Sequence, residues 1–465
     1  MYKVLVFMLL FIAVALRIPG IFHDFWFDEV WSFLMIHELR SPFDIFTKLM
    51  NANNHFLNSL LIYVIDKDNP AHWWKYRIFS LLCGMGTVVM GTLLASKTFK
   101  RSAATITTLM LLAVSFPLVI YSSEARGYSS LMFFSVLSIY SLLEYFKNNK
   151  KSMLIIFNVS VIFGFMSHLS FVYIFAGLLM TSTAHLMKFD KTTIIKEFSK
   201  LLLIPFIVLY VVYVQFLTNF LFLPLLVIDG GAPDVSPLKT LCELPVYIIA
   251  LSRSWTFFGV AIWIFIAIEL FFLIKEKQML GLFVLTVVLA ALCHILLYYP
   301  GSSHFRFFAC LFPFLVILFC RFICRFYDSG KKYIFIALIA IVAMSNLYYD
   351  IEFIRLGRGK YLQLIKHIER HTSGEIITIG SDHDFRTSKM IKFYGQFSNK
   401  QINYISYCEM YKATPPEWFI VHSQNINRTV NPSFEVFRGV FYRLEADYPY
   451  FGKFSGFHWT LYRRP

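Results

Sequence analysis

What most constrains this chain is a series of apolar runs along its first three quarters, each long enough to cross a bilayer. A spanning helix needs about 17 to 25 apolar residues, and such runs lie near 4–22, 77–97, 104–121, 128–146, 152–167, 169–187, 200–223, 255–274, 278–299, 305–324 and 333–349. The pattern predicts about eleven membrane-spanning helices. The count becomes ten or twelve if the short run 152–167 and its neighbour, divided only by Ser167 and His168, are read differently. With 57% hydrophobic and 15% charged residues, the chain is no ordinary soluble globular protein. The first run has no small-residue cleavage site behind it, since Ile18-Pro19-Gly20-Ile21-Phe22 leads straight into an acidic stretch, so it reads as a retained span.

Charge sets the expected orientation. Lys97, Lys100 and Arg101, then Lys147, Lys150 and Lys151, then Lys188, Lys191, Lys196 and Lys200, then Lys275 and Lys277, then Arg321, Arg325, Lys331 and Lys332 occupy every second connection. Basic connections mark the cytoplasmic side. The formal charge of +15 therefore reports topology and anionic lipid rather than nucleic acid. An odd number of spans places the loop 23–76, the loop 224–254 and the tail from Asp350 outside. Among the seven cysteines no metal-ligand spacing occurs. Cys83, Cys293, Cys310, Cys320 and Cys324 read as buried thiols, while Cys242 and Cys408 both face outward and could pair.

On that outer side the chain leaves its first span through Phe25-Trp26-Phe27-Asp28-Glu29, two adjacent carboxylates framed by aromatic residues. The loop 23–76 continues with short amphipathic helices: Val30, Phe33, Leu34 and Ile36 recur at near-helical spacing, and Ser41-Pro42 with Asp44 starts another helix through Met50. The run Phe56 to Ile65 is too short to span, which puts His55 near the headgroups. The other outer connections hold Glu124 and Arg126, His168, and His304 with Arg306. Ionisable groups thus gather on one rim while mid-span positions are almost free of charge, unlike a transporter with its sites at the midplane. The tail 350–465 reads as a small α/β domain, with strands at 375–380, 417–421 and 437–443 and helices near 360–371 and 385–395. The expected organisation is a transmembrane domain 1–349 carrying the outer loop 23–76, and an extracytoplasmic domain 350–465.

Four segments together resemble the GT-C superfamily of polytopic glycosyltransferases that use polyprenyl-phosphate sugars, near the protein O-mannosyltransferases and the lipid A aminoarabinose transferases. They are Phe25-Trp26-Phe27-Asp28-Glu29-Val30-Trp31-Ser32, Trp74-Lys75-Tyr76-Arg77-Ile78-Phe79-Ser80, the Tyr121 to Tyr128 segment, and His304-Phe305-Arg306-Phe307-Phe308 before a span containing Pro313. Asn54-His55-Phe56-Leu57-Asn58 departs from the His-Pro-Pro of many relatives, so only His55 carries over. Trp459 to Arg464 looks like the closing strand of such proteins. The resemblance implies an all-α polytopic membrane domain of GT-C type with a small C-terminal α/β domain, and an enzyme that moves a sugar from a polyprenyl-phosphate donor to a surface glycan, a glycolipid or a protein hydroxyl.

That chemistry needs a base for an acceptor hydroxyl, cations for a departing phosphate and a groove for an isoprenoid. Asp28 is the expected base, the role the first acid takes in relatives, and Glu29 orients it or holds a cation. Arg126 and Arg306 are the expected phosphate partners, because a forked guanidinium matches growing phosphate charge; their alternative is snorkelling or an ion pair with Glu124. Glu124, His55, His168 and His304 complete the candidate substrate-binding set, and Lys75 and Arg77 read as headgroup contacts. No metal and no cofactor beyond the lipid-linked donor are called for. The competing classes are a flippase for lipid-linked saccharides or another transporter, and a non-catalytic membrane scaffold.

Overall fold

The computed structural model describes residues 2–49, 54–99, 101–222, 256–297, 305–410, 415–424, 429–437, 440–452 and 455–465, with Val246. Its elements begin with α1 (Tyr2–Ile21), α2 (Phe27–His37), α3 (Asp44–Thr47), α4 (Phe56–Asp66), α5 (Trp74–Phe99), α6 (Ser102–Val114), α7 (Phe116–Tyr121), α8 (Tyr128–Asn148), α9 (Lys151–Ser167), α10 (Phe171–Leu186) and α11 (Lys191–Phe222). Helices Thr256–Lys275, Met279–Leu297, Phe312–Asp328, Lys332–Leu356, Tyr361–His371 and Asp384–Tyr394 follow, the last two interleaved with a sheet. The chain divides into two compact units. One comprises Met1–Ile21, Leu39–Ile65 and Trp74–Asp350; the other comprises Phe22–Glu38, Asp66–Trp73 and Ile351–Pro465.

This is a multi-pass membrane protein. Among the described residues, seven helical stretches are long and apolar enough to cross a bilayer: Lys3–Ile21, Pro70–Phe99, Tyr128–Asn148, Lys191–Val214, Met279–Leu296, Arg306–Asp328 and Lys332–His371. Apolar helices Phe56–Asp66, Ser102–Val114, Lys151–Ser167 and Phe171–Leu186 are shorter. The eleven full crossings read from hydropathy are thus not shown. In one place the reason is local: the apolar run 104–121 is broken at Ser115, whose ψ of 109 leaves the helical region, and Pro117 opens α7. The apolar side chains of Val4, Phe7 and Phe11 on α1, and of Leu203, Phe206 and Ile207 on α11, stay exposed, as a lipid-facing surface requires.

Two arginines of the first unit do work that hydropathy does not reveal. Arg17 is fully buried and donates to Leu112 O at 3.1 Å and Ala113 O at 2.7 Å. These carbonyls close α6, where no further turn supplies a donor. Asn346 Oδ1 accepts from Phe116 N at 3.0 Å on the other side of the break. Arg77, expected at the headgroups, is instead fully buried, and its Nη1 donates to Ile21 O at 3.0 Å and Gly20 O at 3.4 Å at the end of α1. The correction follows from the same need of a helix C-terminus for donors.

The second unit carries a six-stranded mixed sheet in the order β2-β1-β3-β6-β5-β4, with β1 (Ile376–Ser381), β2 (Gln401–Tyr404), β3 (Trp418–Ser423), β4 (Ser433–Phe437), β5 (Val440–Tyr448) and β6 (His458–Arg463). β1 pairs in parallel with β2 and β3, and the remaining pairs are antiparallel. The single strand expected at 437–443 falls on the end of β4 and the start of β5, which pair antiparallel through Phe437 and Val440. Trp418, Trp459, Tyr361, Tyr394, Tyr442 and Tyr462 are its largest buried aromatic side chains. Loop 224–254, apart from Val246, lies outside the described residues, Cys242 with it; Cys408 is a free, exposed thiol.

Candidate functional site

The segment bearing the acid pair belongs to the second unit, and its neighbours pin it there. Asp24 Oδ2 accepts from Leu362 N at 2.8 Å, and Phe25 O accepts from the Tyr394 hydroxyl at 2.7 Å. The Phe25 ring stacks on Phe393 with centroids 6.0 Å apart. Phe27 packs on Trp31 at 5.6 Å, Phe385 at 5.7 Å and Phe457 at 6.1 Å. The aromatic residues of the motif are therefore core side chains that clamp the start of α2 on the tail domain. Nothing in their hydropathy distinguishes this from a membrane-interface belt.

Within that clamp the two carboxylates differ. Glu29 is fully buried, and its Oε2 accepts from Trp26 N at 3.2 Å. It is the third residue of α2 reaching back to the cap residue, the acid half of a capping box. Asp28 precedes it, only 8% exposed, in the first turn of an eleven-residue helix whose N-terminal dipole favours negative charge. Its main-chain carbonyl accepts from Ser32 Oγ at 2.8 Å.

The first unit gathers the cationic candidates. Arg126 and His55 are both buried, and Arg126 Nη2 donates to His55 Nε2 at 2.7 Å and to the Tyr128 hydroxyl at 3.4 Å. His55 Nδ1 lies 3.1 Å from Ser167 O. A carbonyl can only accept, so Nδ1 carries the proton and Nε2 presents a lone pair to the guanidinium, which fixes a neutral tautomer. The His168 ring centroid stands 5.1 Å from that of His55 and 5.3 Å from that of Tyr128, and its Nδ1 accepts from Ser170 N at 3.0 Å. Arg306 acts electrostatically on both imidazoles and lies 5.8 Å over Phe307, which in turn contacts His168. Thus His55, Arg126, His168 and Arg306 converge, with Glu124 buried in the turn before Arg126. His304 lies outside the described residues.

Residues not singled out from the sequence hold this cluster together. Asn58 donates from Nδ2 to Ala125 O, and Asn54 Nδ2 donates to Ile45 O and Leu49 O, both at 2.9 Å. Asn58 is a polar residue in the first turn of the apolar helix α4, three residues beyond His55, which is the one signal that could have found it. Gly127 is required by close approach: a Cβ there would stand 1.9 Å from Ser167 O and 3.0 Å from His55 Nδ1. Lys75 lies over the Tyr76 ring at 5.1 Å.

Burial, then the positive Arg126, holds the His55 imidazole well below its ordinary value, and burial with Arg126 and Arg306 pushes His168 down to about 3. Both rings are neutral at pH 7, so the cluster's positive charge resides in the two arginines. On unfolding, each imidazole would take up a proton near pH 6.5, its ordinary value. Between there and, for His168, about 3 the unfolded chain binds more protons, so stability present above pH 6.5 is lost as the pH falls. The apparent melting temperature in detergent should drop between pH 7.5 and 5, and His168→Gln should reduce that drop. An unchanged pH dependence in the variant would show that His168 does not carry it.

Residues 53–227 match the family described as dolichyl-phosphate-mannose-protein mannosyltransferase. Among solved structures, ArnT from Cupriavidus metallidurans in the apo state aligns with a TM-score of 0.56 at 11% identity, covering 90% of this chain and 91% of that one. The same protein bound to undecaprenyl phosphate aligns with a TM-score of 0.53 at 11% identity, covering 99% and 97%. At this identity the likeness is one of fold. A search of curated proteins finds no match.

Proposed function

We infer that this chain, which has the GT-C fold, is an integral-membrane glycosyltransferase that takes its sugar from a polyprenyl-phosphate donor. The observation that carries the reading is the convergence of Arg126 and Arg306 on two neutral imidazoles: two positive charges, one of them buried and aimed by His55, suit the phosphate of such a donor. That one ArnT structure holds undecaprenyl phosphate supports the same class of lipid.

In the proposed reaction the acceptor hydroxyl oxygen attacks the anomeric carbon, the bond from that carbon to the phosphate oxygen breaks, and polyprenyl phosphate leaves. Asp28 takes the hydroxyl proton, and a single displacement inverts the anomeric centre. Arg126 and Arg306 stabilise the charge that grows on the leaving phosphate. Glu29 orients the turn that carries Asp28. The basic alternate connections favour an extracytoplasmic position for Asp28 and the tail, on the outer face of the plasma membrane, and the proposed acceptor is a surface glycan or glycolipid, with a protein hydroxyl as the other candidate.

The test compares the glycolipids and surface polysaccharides of a deletion strain with those of its parent by mass spectrometry. The expected result is loss of one sugar residue, restored by the wild-type chain and not by Asp28→Asn. Identical glycan profiles, together with unchanged protein glycosylation, would overturn the proposal.

A further inference from the structure

We propose that the second unit carries a surface site for a zinc-class divalent ion, formed by His367, His371 and Glu445. The two histidines stand four residues apart on helix Tyr361–His371, with ring centroids 4.2 Å apart and planes inclined by 23°. Glu445 reaches them from β5. One ligand atom from each residue lies within 4.8 Å of the other two.

The His367–Glu445 distance fits a tetrahedral ion. Bonds of about 2.0–2.2 Å at a tetrahedral angle place two ligand atoms roughly 3.3–3.6 Å apart, and His367 Nε2 lies 3.3 Å from Glu445 Oε1. His371 Nδ1 is 2.8 Å from His367 O. A carbonyl only accepts, so Nδ1 is the donor and Nε2 remains as the metal-binding nitrogen. A ligand histidine is commonly held in this way, its second nitrogen fixed by a carbonyl. His371 also lies in the last turn of its helix, where the dipole favours a cation.

An ordinary surface ion pair would explain His367 with Glu445, but not a second imidazole with a ligand nitrogen within 4.8 Å of both. Two nitrogens and one carboxylate oxygen suit zinc better than calcium or magnesium, and the fourth position is left for water or an exogenous ligand. An ion there would tie the helix to β5 and stabilise the domain. This site owes nothing to the glycosyltransferase reading, and its test does not use activity.

The experiment uses the full chain, free of any histidine tag, purified in detergent and stripped with chelator. Zinc chloride is titrated calorimetrically, cobalt chloride by visible absorption, and melting temperature is followed with and without zinc. Wild type should bind one ion with the strong visible bands of tetrahedral cobalt and melt at a higher temperature with zinc. His371→Gln and Glu445→Gln, both on exposed residues, should melt like wild type without metal yet bind zinc at least about tenfold more weakly and show no zinc-dependent rise. Absence of zinc binding to wild type, or equal affinity in either variant, overturns the site. Should one variant melt lower without metal, the other still decides.

Discussion

Asp28→Asn should leave the protein inserted, folded and able to bind donor while turnover falls by about a hundredfold to ten-thousandfold, the usual cost of removing a general base. The amide keeps the size of the carboxylate and most of its hydrogen bonding but cannot take a proton from the acceptor. Asp28 sits in the first turn of α2, so the lost helix-dipole interaction is about 0.3–1 kcal/mol, too little to unfold a domain clamped by Phe25 and Phe27. Glu29→Gln is the internal comparison. Its Oε2 accepts from Trp26 N, a bond that the amide oxygen of Gln can also accept, so the effect on rate should be the smaller of the two. The measurement is transfer rate at saturating polyprenyl-phosphate sugar, with donor binding followed alongside. Turnover by Asp28→Asn near the wild-type rate would falsify its role as base and favour the scaffold or transport readings.

Arg126→Lys should lower kcat/KM by about a hundredfold to a thousandfold, the scale seen when one donor to a developing anion is lost. Arg126 addresses His55 Nε2 and the Tyr128 hydroxyl through one guanidinium nitrogen, a planar geometry that one ammonium cannot replace. Affinity for a polyprenyl phosphate should weaken in parallel, and affinity for the uncharged polyprenol should not. Arg306→Lys, at a half-buried position, should show the same selectivity with a smaller loss. If Lys at both positions kept normal phosphate affinity and rate, both arginines would be structural only. Melting temperature, measured with each variant, separates this result from unfolding.

What the sequence determines about this protein is what depends on composition and period. Long apolar helices, the basic connections between them, and the α/β character of the tail all follow from local pattern, because burial in lipid and strand alternation are written residue by residue. The helices expected near 360–371 and 385–395 lie at Tyr361–His371 and Asp384–Tyr394, and the strand expected at 375–380 at Ile376–Ser381. The candidate cations were also legible as a set, since each stands in a short connection between apolar runs.

Only the tertiary structure decided which side chains meet. Arg17 and Arg77 look like interruptions or headgroup contacts along the chain, yet each fills the carbonyls of a helix end, and those partners come from elements 95 and 56 residues away for Leu112 and Ile21. Glu29 resembles Asp28 along the chain, and only the extended backbone of Trp26 before α2 makes it a cap. His55 and Ser167 are 112 residues apart in the chain, as His367 and Glu445 are 78 apart. Pairings of that range are set by packing and by the need of every buried polar group for a partner. Neither leaves a period in the sequence that bears it.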